Sequence, residues 1–412
     1  NRCFEDHYTK VDSMTNPYPF EATSRIELST SAFQSNYRFI KELVGSKTMV
    51  SAVVKGNAYG HSYDAFIPMA EDVGIRHFSV FSLEEAWQIK QLLKTPSDIM
   101  IMGSVPDNAL EWVVQNDIEV FVFEPERLKA MLSVAHTTGR KARIHLEFET
   151  GMNRTGFDPE SLPDIVSMLT EYNDDYILEG VCTHYAGAES SSNFLRVRKQ
   201  IQNFKQIAKS SAMMGLKPVK YHTACSAAAL TYPATRMDMV RIGIALYGYW
   251  PTPETFMHHS ISSRKHDTDS KEPVLEDPLR RVLSWKSHVM STKTVRAGEF
   301  IGYGTSYLAG VSTKIAAVPI GYAYGFSRNL SNLGRVIVGG KRTSVIGVVN
   351  MNMMLIDITE TPQVKRGDEV VLIGKQGDQE ISVASFSEMT QRVNYETLVR
   401  LPQNIPRVRI DQ

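Results

Sequence analysis

Cysteine is scarce. Cys3, Cys182 and Cys225 are the only three in 412 residues, an odd number at wide spacing that argues against a secreted disulfide framework and for a reducing compartment. Long hydrophobic runs are missing too: nowhere do about 18 consecutive apolar residues occur, the length a membrane span requires. The stretch from Asn1 to Phe20 has no apolar segment of the signal-peptide kind. The sequence opens on Asn1 rather than Met, which leaves the removal of an earlier segment open. Charge of one sign is not in excess, with 45 basic against 45 acidic residues, so nothing favours a nucleic-acid partner. No repeat of fixed 20 to 50 residue period is visible. The expectation is a cytoplasmic protein with no membrane or nucleic-acid partner.

What is present is a chain long enough for two domains. From about residue 50 to 245, short runs rich in β-branched residues alternate with segments of helical period. The runs fall at Ser51–Lys55, His77–Phe81, Asp98–Met102, Glu119–Phe123, Ala142–Phe148, Glu179–His184, Val219–Thr223 and Met239–Ile244. Eight strands separated by helices are what a closed (β/α)8 TIM barrel needs. Between them, Ser82–Leu93 opens on a serine cap with Glu85 three residues on and carries Ala86, Ile89, Leu92 and Leu93 on one face; Ser161–Leu169 reads similarly. Near Leu283 the character changes to alternating runs punctuated by glycine: Leu283–Val289, Lys314–Ile320, Arg335–Val338 and Val345–Ile358. The fold class is therefore α/β, a TIM barrel followed by a mostly-β C-terminal domain. The boundaries are an N-terminal extension over 1–24, the barrel over 25–250, an insertion or linker over 251–279 and the β domain over 280–412. Within the linker, Thr252–Pro278 is rich in polar residues with little periodicity and reads as a surface loop. His258, His259 and His266 lie there at no recognised ligand spacing, so no metal is expected.

Working residues of such barrels sit where strands run out into loops. The first strand ends in Lys55, and a lysine closing an apolar strand can be desolvated until its amine becomes nucleophilic. The run Val54-Lys55-Gly56-Asn57-Ala58-Tyr59-Gly60-His61 resembles the cofactor-lysine motif of the alanine racemases, fold-type III pyridoxal-phosphate (PLP) enzymes. The resemblance extends from about Arg25 to Arg407 through Glu149-Thr150-Gly151-Met152-Asn153-Arg154, Thr183-His184, Cys225-Ser226, the run from Arg241 to Gly248, Gly302-Tyr303-Gly304, Gly321-Tyr322-Ala323 and Asn394-Tyr395-Glu396.

That resemblance implies roles. Lys55 links PLP covalently and is one catalytic base. Tyr59, Ser226, Tyr395 and the backbone of Gly243 and Ile244 hold the phosphate, which agrees with the usual phosphate position after strands seven and eight. Arg241 faces the pyridine nitrogen; a guanidinium cannot accept the pyridine proton, so the ring is a weaker electron sink and side reactions such as transamination are suppressed. His184 lies near the ring and the arginine, and Arg154 meets the cofactor phenolate and the substrate carboxylate. Inversion needs a second base on the opposite face of the α-carbon, and the family places there the tyrosine matched by Tyr303, lent by a partner subunit together with Met351 and Asn352. The implied protein is a homodimer with shared active sites that interconverts L- and D-alanine and supplies D-alanine for peptidoglycan.

The sequence also departs from the pattern. Glu147 stands where several members carry a carbamylated lysine, and it is expected to hold Arg154 by a charge-assisted hydrogen bond. Asn352 replaces the usual aspartate, as does Tyr324 after Gly321-Tyr322-Ala323, and both changes bear on which side chains are admitted. A broad-specificity racemase for serine, lysine or arginine is the first alternative. A non-catalytic PLP-binding protein, single-domain in the family, is the second. The basic amino-acid decarboxylases of the same fold lack support, because their Cys-x-x-x-Asp signature is absent.

Overall fold

A computed structural model describes residues 20, 22–264, 276–390 and 392–411. His266 lies outside them. The strands are β1 (Ser24–Ser29), β2 (Met49–Val53), β3 (His77–Val80), β4 (Asp98–Ile101), β5 (Glu119–Val122), β6 (Ala142–Glu147), β7 (Tyr176–Cys182), β8 (Lys220–His222), β9 (Met239–Ile242), β10 (Leu283–His288), β11 (Ser291–Val295), β12 (Thr313–Val318), β13 (Arg335–Val338), β14 (Lys341–Ile346), β15 (Met354–Asp357), β16 (Glu369–Gln376), β17 (Gln379–Ile381) and β18 (Arg407–Ile410). Two compact units result. One holds 33–55 and 67–280; the other holds the described residues before 33 together with 56–66 and 281 onward.

In the first unit the strands pair in parallel in the order β8-β7-β6-β5-β4-β3-β2-β9. A parallel bridge between Cys225 and Arg241, just beyond β8, closes the ring. This is the expected barrel. All four residues of β3, β5 and β9 are buried, as strands covered on both faces must be. Several ladders stop short of the expected ends: β2 ends at Val53, so Lys55 stands in the following turn, and β7 ends at Cys182, so His184 lies in a loop. The helix Leu83–Leu92 starts at Ser82, whose hydroxyl accepts from the Glu85 N–H at 3.4 Å, while the Glu85 carboxylate reaches back to the Phe81 N–H at 2.8 Å. Ala86 and Ile89 are its buried face; Leu92 and Leu93 are only half-buried.

The stretch read as a loop is partly helical. Pro253–Arg264 forms a helix, with His259 edge-on to Phe39 at 5.3 Å and against Trp250 at 5.3 Å between ring centroids. Its apolar contacts come from aromatic rings, one of them a histidine, and a search for aliphatic periodicity passes over them.

The second unit is a sheet in the order β11-β12-β15-β14-β13-β16-β10-β1-β18, with β17 attached to β16. Only the β1–β18 pairing is parallel. Two expectations change here. Ser24–Ser29 pairs with β10 and β18 and so belongs to this sheet, not to the barrel. The run Val345–Ile358 is two strands, the end of β14 and β15, with a turn between them. One part of the core stacks Trp285, Phe326 and Phe386, with centroids 5.4 to 6.4 Å apart, and the Trp285 indole donates to Ser24 Oγ at 2.8 Å. Another gathers Val295, Ile301, Ala309, Ile315 and Ile346 beneath the loop joining β11 to β12.

The turn after Lys55 is left-handed at Gly56, Asn57, Ala58 and Tyr59, with φ of 65°, 54°, 53° and 52°. It is tied down inside the second unit. Arg407 donates from two nitrogens to the Gly60 carbonyl, at 3.1 and 2.9 Å, and otherwise to the carbonyls of Pro402, Ile405 and Leu401. Gly60 itself has φ +79°, and a Cβ there would sit 2.0 Å from the Leu398 carbonyl oxygen. Gly60→Ala is therefore expected to destabilise the protein by more than about 2 kcal/mol, since both strain and collision oppose it. Urea unfolding would show the midpoint falling; an unchanged midpoint would contradict the close approach.

Candidate active site

The barrel unit brings together Lys55, Arg154, His184, Ser226, Arg241, Gly243 and Ile244 at the ends of its strands. Arg241, in β9, is 3% exposed. Its terminal nitrogens donate to the carbonyls of Thr183 at 2.8 Å, Thr223 at 3.2 Å and His222 at 3.1 Å, and its guanidinium carbon lies 5.7 Å from the Phe121 ring centre. His184 Nδ1 is 3.5 Å from the same group. Burial, then Arg241, Arg154 and Lys55, push the His184 pKa down to about 3, so its imidazole is neutral near pH 7.

Lys55 is reachable by solvent at the barrel rim, yet the surrounding protein leaves its ammonium poorly hydrated. That desolvation lowers its pKa first, and Arg154 lowers it further, against smaller opposing effects of Glu85 and Cys225. The result is an amine more readily deprotonated than an ordinary lysine. Ser226 is buried, and its Oγ accepts the Gly243 N–H at 3.0 Å. That frees the hydroxyl proton to be donated elsewhere, and Gly243 and Ile244 are buried beside it.

Arg154 sits on a turn organised by Glu149, whose carboxylate accepts the N–H groups of Gly151, Met152 at 2.6 Å, Asn153 at 2.7 Å and Arg154 at 3.3 Å. These bonds hold the Glu149 carboxyl below its ordinary pKa despite partial burial. The expected Glu147–Arg154 hydrogen bond is not formed. Glu147 is buried but accepts from Thr155 Oγ1 at 2.9 Å, and burial raises its pKa, with Arg241 and Arg154 acting on it only as nearby charges. Arg154 is exposed, and the hydroxyl of Thr155 rather than the Arg154 guanidinium meets the Glu147 carboxylate.

The remaining expected residues lie in the second unit. Tyr59 and Tyr395 face each other with ring centres 6.0 Å apart. Tyr303 is 72% exposed between Gly302 and Gly304, both left-handed at φ 77° and 67°. It caps a loop whose base is fixed by the Ile301 N–H donating to the Tyr307 carbonyl at 2.9 Å. Met351 and Asn352 are exposed, and the N–H groups of Tyr322 and Ala323 donate to the carbonyls of Asn350 and Met351, both at 3.0 Å. The motif Gly321-Tyr322-Ala323 thus shapes the loop that presents Met351. Glu149 opens a motif that carries the resemblance but has no role assigned to it from the sequence, and the barrel histidines His145 and His222, polar positions inside strands, are not singled out there.

No helix among the described residues is long and apolar enough to cross a membrane. A parallel (β/α)8 barrel with a lysine and two arginines at its mouth, and a β domain bearing an exposed tyrosine, is the layout of the class of enzymes that the sequence resembles. Comparison makes the class specific. Residues 28–251 match the alanine racemase N-terminal domain and 282–409 the C-terminal domain. The alanine racemase of Leptospira interrogans is 31% identical over 99% of this chain and 100% of that protein, and that of Halothermothrix orenii 33% over 92% and 95%. Among solved structures, an alanine racemase from Clostridium difficile superposes with a TM-score of 0.84 at 29% identity, covering 95% of this chain and 97% of that one. One from Bartonella henselae with covalently bound pyridoxal phosphate gives 0.78 at 27%, covering 95% and 100%. The chain belongs to the alanine racemase family.

His184 gives a pH test. Its folded pKa of about 3 lies below the unfolded value near about 6.5, so its contribution to stability is complete above that value and lost as pH falls toward the folded one. Between pH 7 and 5 it is expected to remove about 2 kcal/mol. Urea titrations at both values should show a smaller pH difference in His184→Asn than in the unaltered protein; equal differences would contradict a neutral, enclosed imidazole.

Proposed function

We propose that this protein interconverts L- and D-alanine by a two-base mechanism, with Lys55 and Tyr303 as the bases. The observation carrying this reading is the gathering of Lys55, Arg154 and His184 at the barrel mouth, with His184 Nδ1 3.5 Å from the buried Arg241; burial and then Arg154 lower the Lys55 pKa there. The residues fit PLP: an amine free to bond to an aldehyde, a Ser226 hydroxyl free to donate to phosphate, and a guanidinium that can only donate toward a ring nitrogen. Bound there, PLP supplies an electron sink that acidifies the substrate α-carbon.

Ser226, Gly243 and Ile244 would hold the phosphate, a role the resemblance also gives to Tyr59 and Tyr395. Arg241 would face the ring nitrogen with donors only and so disfavour its protonation, and neutral His184 stands 3.5 Å from the same guanidinium. Arg154 orients the substrate carboxylate. Lys55 takes or returns the α-proton on one face and the Tyr303 phenol on the other. Tyr303 acts on the barrel of a second copy, with Met351 and Asn352 lining the pocket, in a homodimer. Supporting this, Phe300, Leu308 and Val311 of the same loop are 52%, 54% and 67% exposed, an apolar fringe that its own unit leaves uncovered. D-alanine made this way would serve peptidoglycan synthesis.

A broader substrate range is the second reading. Asn352 and Tyr324 carry no charge where the family usually has aspartate, which relaxes the discrimination a buried or confined charge would impose. Circular dichroism over alanine, serine, lysine and arginine separates the two readings. The non-catalytic reading loses its support with the match to the C-terminal domain.

Two measurements test the mechanism. Wild-type protein given PLP should turn yellow and be bleached by borohydride, and Lys55→Ala should do neither; a yellow, reducible Lys55→Ala would end the assignment. In deuterium oxide, Tyr303→Phe should lose α-proton exchange from one alanine enantiomer by about a hundredfold or more while keeping it from the other. Equal loss from both would assign Tyr303 to binding instead.

A further inference from the structure

The interior of the barrel holds a chain of polar side chains that runs away from the mouth. Arg241 Nη1 lies 2.5 Å from His222 Nδ1, His222 Nε2 lies 2.9 Å from His145 Nδ1, and His145 Nε2 lies 2.8 Å from Glu119 Oε2. All four residues are buried, three of them at 0% exposure. A guanidinium offers only N–H groups, so His222 Nδ1 must present a lone pair. Burial drives the pKa of both histidines down, so each is a neutral imidazole with one proton. That proton is on Nε2 of His222, and His145 Nδ1 accepts it. The His145 proton is then also on Nε2, and the Glu119 carboxylate accepts it. Every hydrogen bond in the chain points the same way.

Two further observations show the arrangement is built in. Glu119 is held as an anion by everything around it: Oε2 also takes the His77 Nε2–H at 2.9 Å, Oε1 accepts from Arg143 at 2.7 Å, and Lys220 lies 3.7 Å away. Burial opposes ionisation, but the hydrogen bonds that Glu119 accepts from His145 and His77 hold its pKa far below the usual carboxylate range. At the other step, β7 carries Gly180, where a Cβ would sit 2.3 Å from His145 Nδ1 and 2.8 Å from His222 Nε2. The strand has no side chain at the point where the two rings meet.

We propose that Glu119 is a positioning residue for Arg241: its carboxylate fixes the tautomers of His145 and His222 so that a lone pair, and never an N–H, meets the guanidinium. The effect on cofactor rests on the reading that Arg241 faces the PLP ring. Glu119→Gln cannot satisfy both ends. With its carbonyl toward the histidines, the new NH2 opposes the Arg143 guanidinium. With the NH2 toward them, His145 and His222 must turn to the Nδ1–H tautomer and present a proton to Arg241.

The test combines side-chain 15N resonances of the histidines and of Arg241, recorded without cofactor, with equilibrium titration of PLP. Wild-type His145 and His222 should both be protonated at Nε2; either one protonated at Nδ1 overturns the proposal without any variant. Glu119→Gln should shift the Arg241 guanidinium resonances and weaken PLP binding by about 10- to 100-fold, as for loss of a hydrogen bond to a charged group. Gly180→Ala, which separates the rings and leaves Glu119 intact, should do the same. Ser51→Ala removes the hydroxyl 2.8 Å from His77 Nδ1, on a side branch, and should leave both Arg241 and PLP affinity unchanged. Arg241 resonances unmoved in Glu119→Gln would overturn the proposal. Shifted resonances with unchanged PLP affinity would uphold it and refute instead the placing of Arg241 at the cofactor ring.

Discussion

The turn that follows Lys55 is the constraint on which the rest of the site depends. Asn57, Ala58 and Tyr59 all hold left-handed backbone, at about 1 to 2 kcal/mol each for residues with a Cβ. Such a conformation persists only where its surroundings determine it. Here the Asn57 carboxamide accepts the Tyr63 N–H at 3.0 Å, three backbone N–H groups close back onto Gly56, Asn57 and Ala58, and Arg407 clamps the Gly60 carbonyl. At about 1 kcal/mol per neutral bond and about 2 for the charged ones, these offset the strain. Arg407 has only carbonyl acceptors in those contacts, and burial lowers its pKa to about 10. A cation enclosed at that cost serves placement rather than stability. What it fixes is the direction in which the chain leaves Lys55 and the orientation of Tyr59.

Charge in the barrel is arranged to a similar end. Interiors of such barrels are usually filled by branched apolar layers. Here Arg143 bonds Asp98, Glu119 and Glu179 at 2.6 to 2.7 Å, and Lys220 bonds Glu179 at 3.0 Å. Buried ion networks of this kind add little to net stability, but they fix rotamers. The negative charge is spent against Arg143 and Lys220 at one end, so that Arg241 faces neutral carbonyls and imidazoles at the other. Glu147, a buried carboxylate that feels both mouth arginines, has its pKa raised by burial. Lys55, Arg154 and Arg241 are thus left to be balanced by a ligand, and phosphate and carboxylate are the groups that would do so.

The barrel was legible because strands covered on both faces read as largely apolar runs with helical period between them; Ser82 caps its helix as expected, whereas Ser161 makes no capping bond and donates instead to the Asp158 carbonyl at 2.6 Å. The ends ran over because Val54 and Thr183 continue the β-branched composition past the last ladder bond. The place of Ser24–Ser29 was not legible: its partners, β10 and β18, come from the far end of the chain, and pairing across that distance leaves no local pattern. The helix Pro253–Arg264 was hidden by stacking through His259. Glu119, His145 and His222 were hidden for a related reason. A polar residue inside a buried strand looks like a flaw in the pattern until its partners on other strands are known.

The failed Glu147–Arg154 pairing clarifies what the site requires. A buried carboxylate bonded to Arg154 would have neutralised the charge that lowers the Lys55 pKa. Instead Glu149 takes the backbone of residues 151–154, and Thr155 occupies Glu147. The arginine still adds to the lowering of the Lys55 pKa that burial begins. Orientation comes from the backbone and charge from the side chain, so the arginine can make the lysine less basic without a hydrogen bond to Glu147.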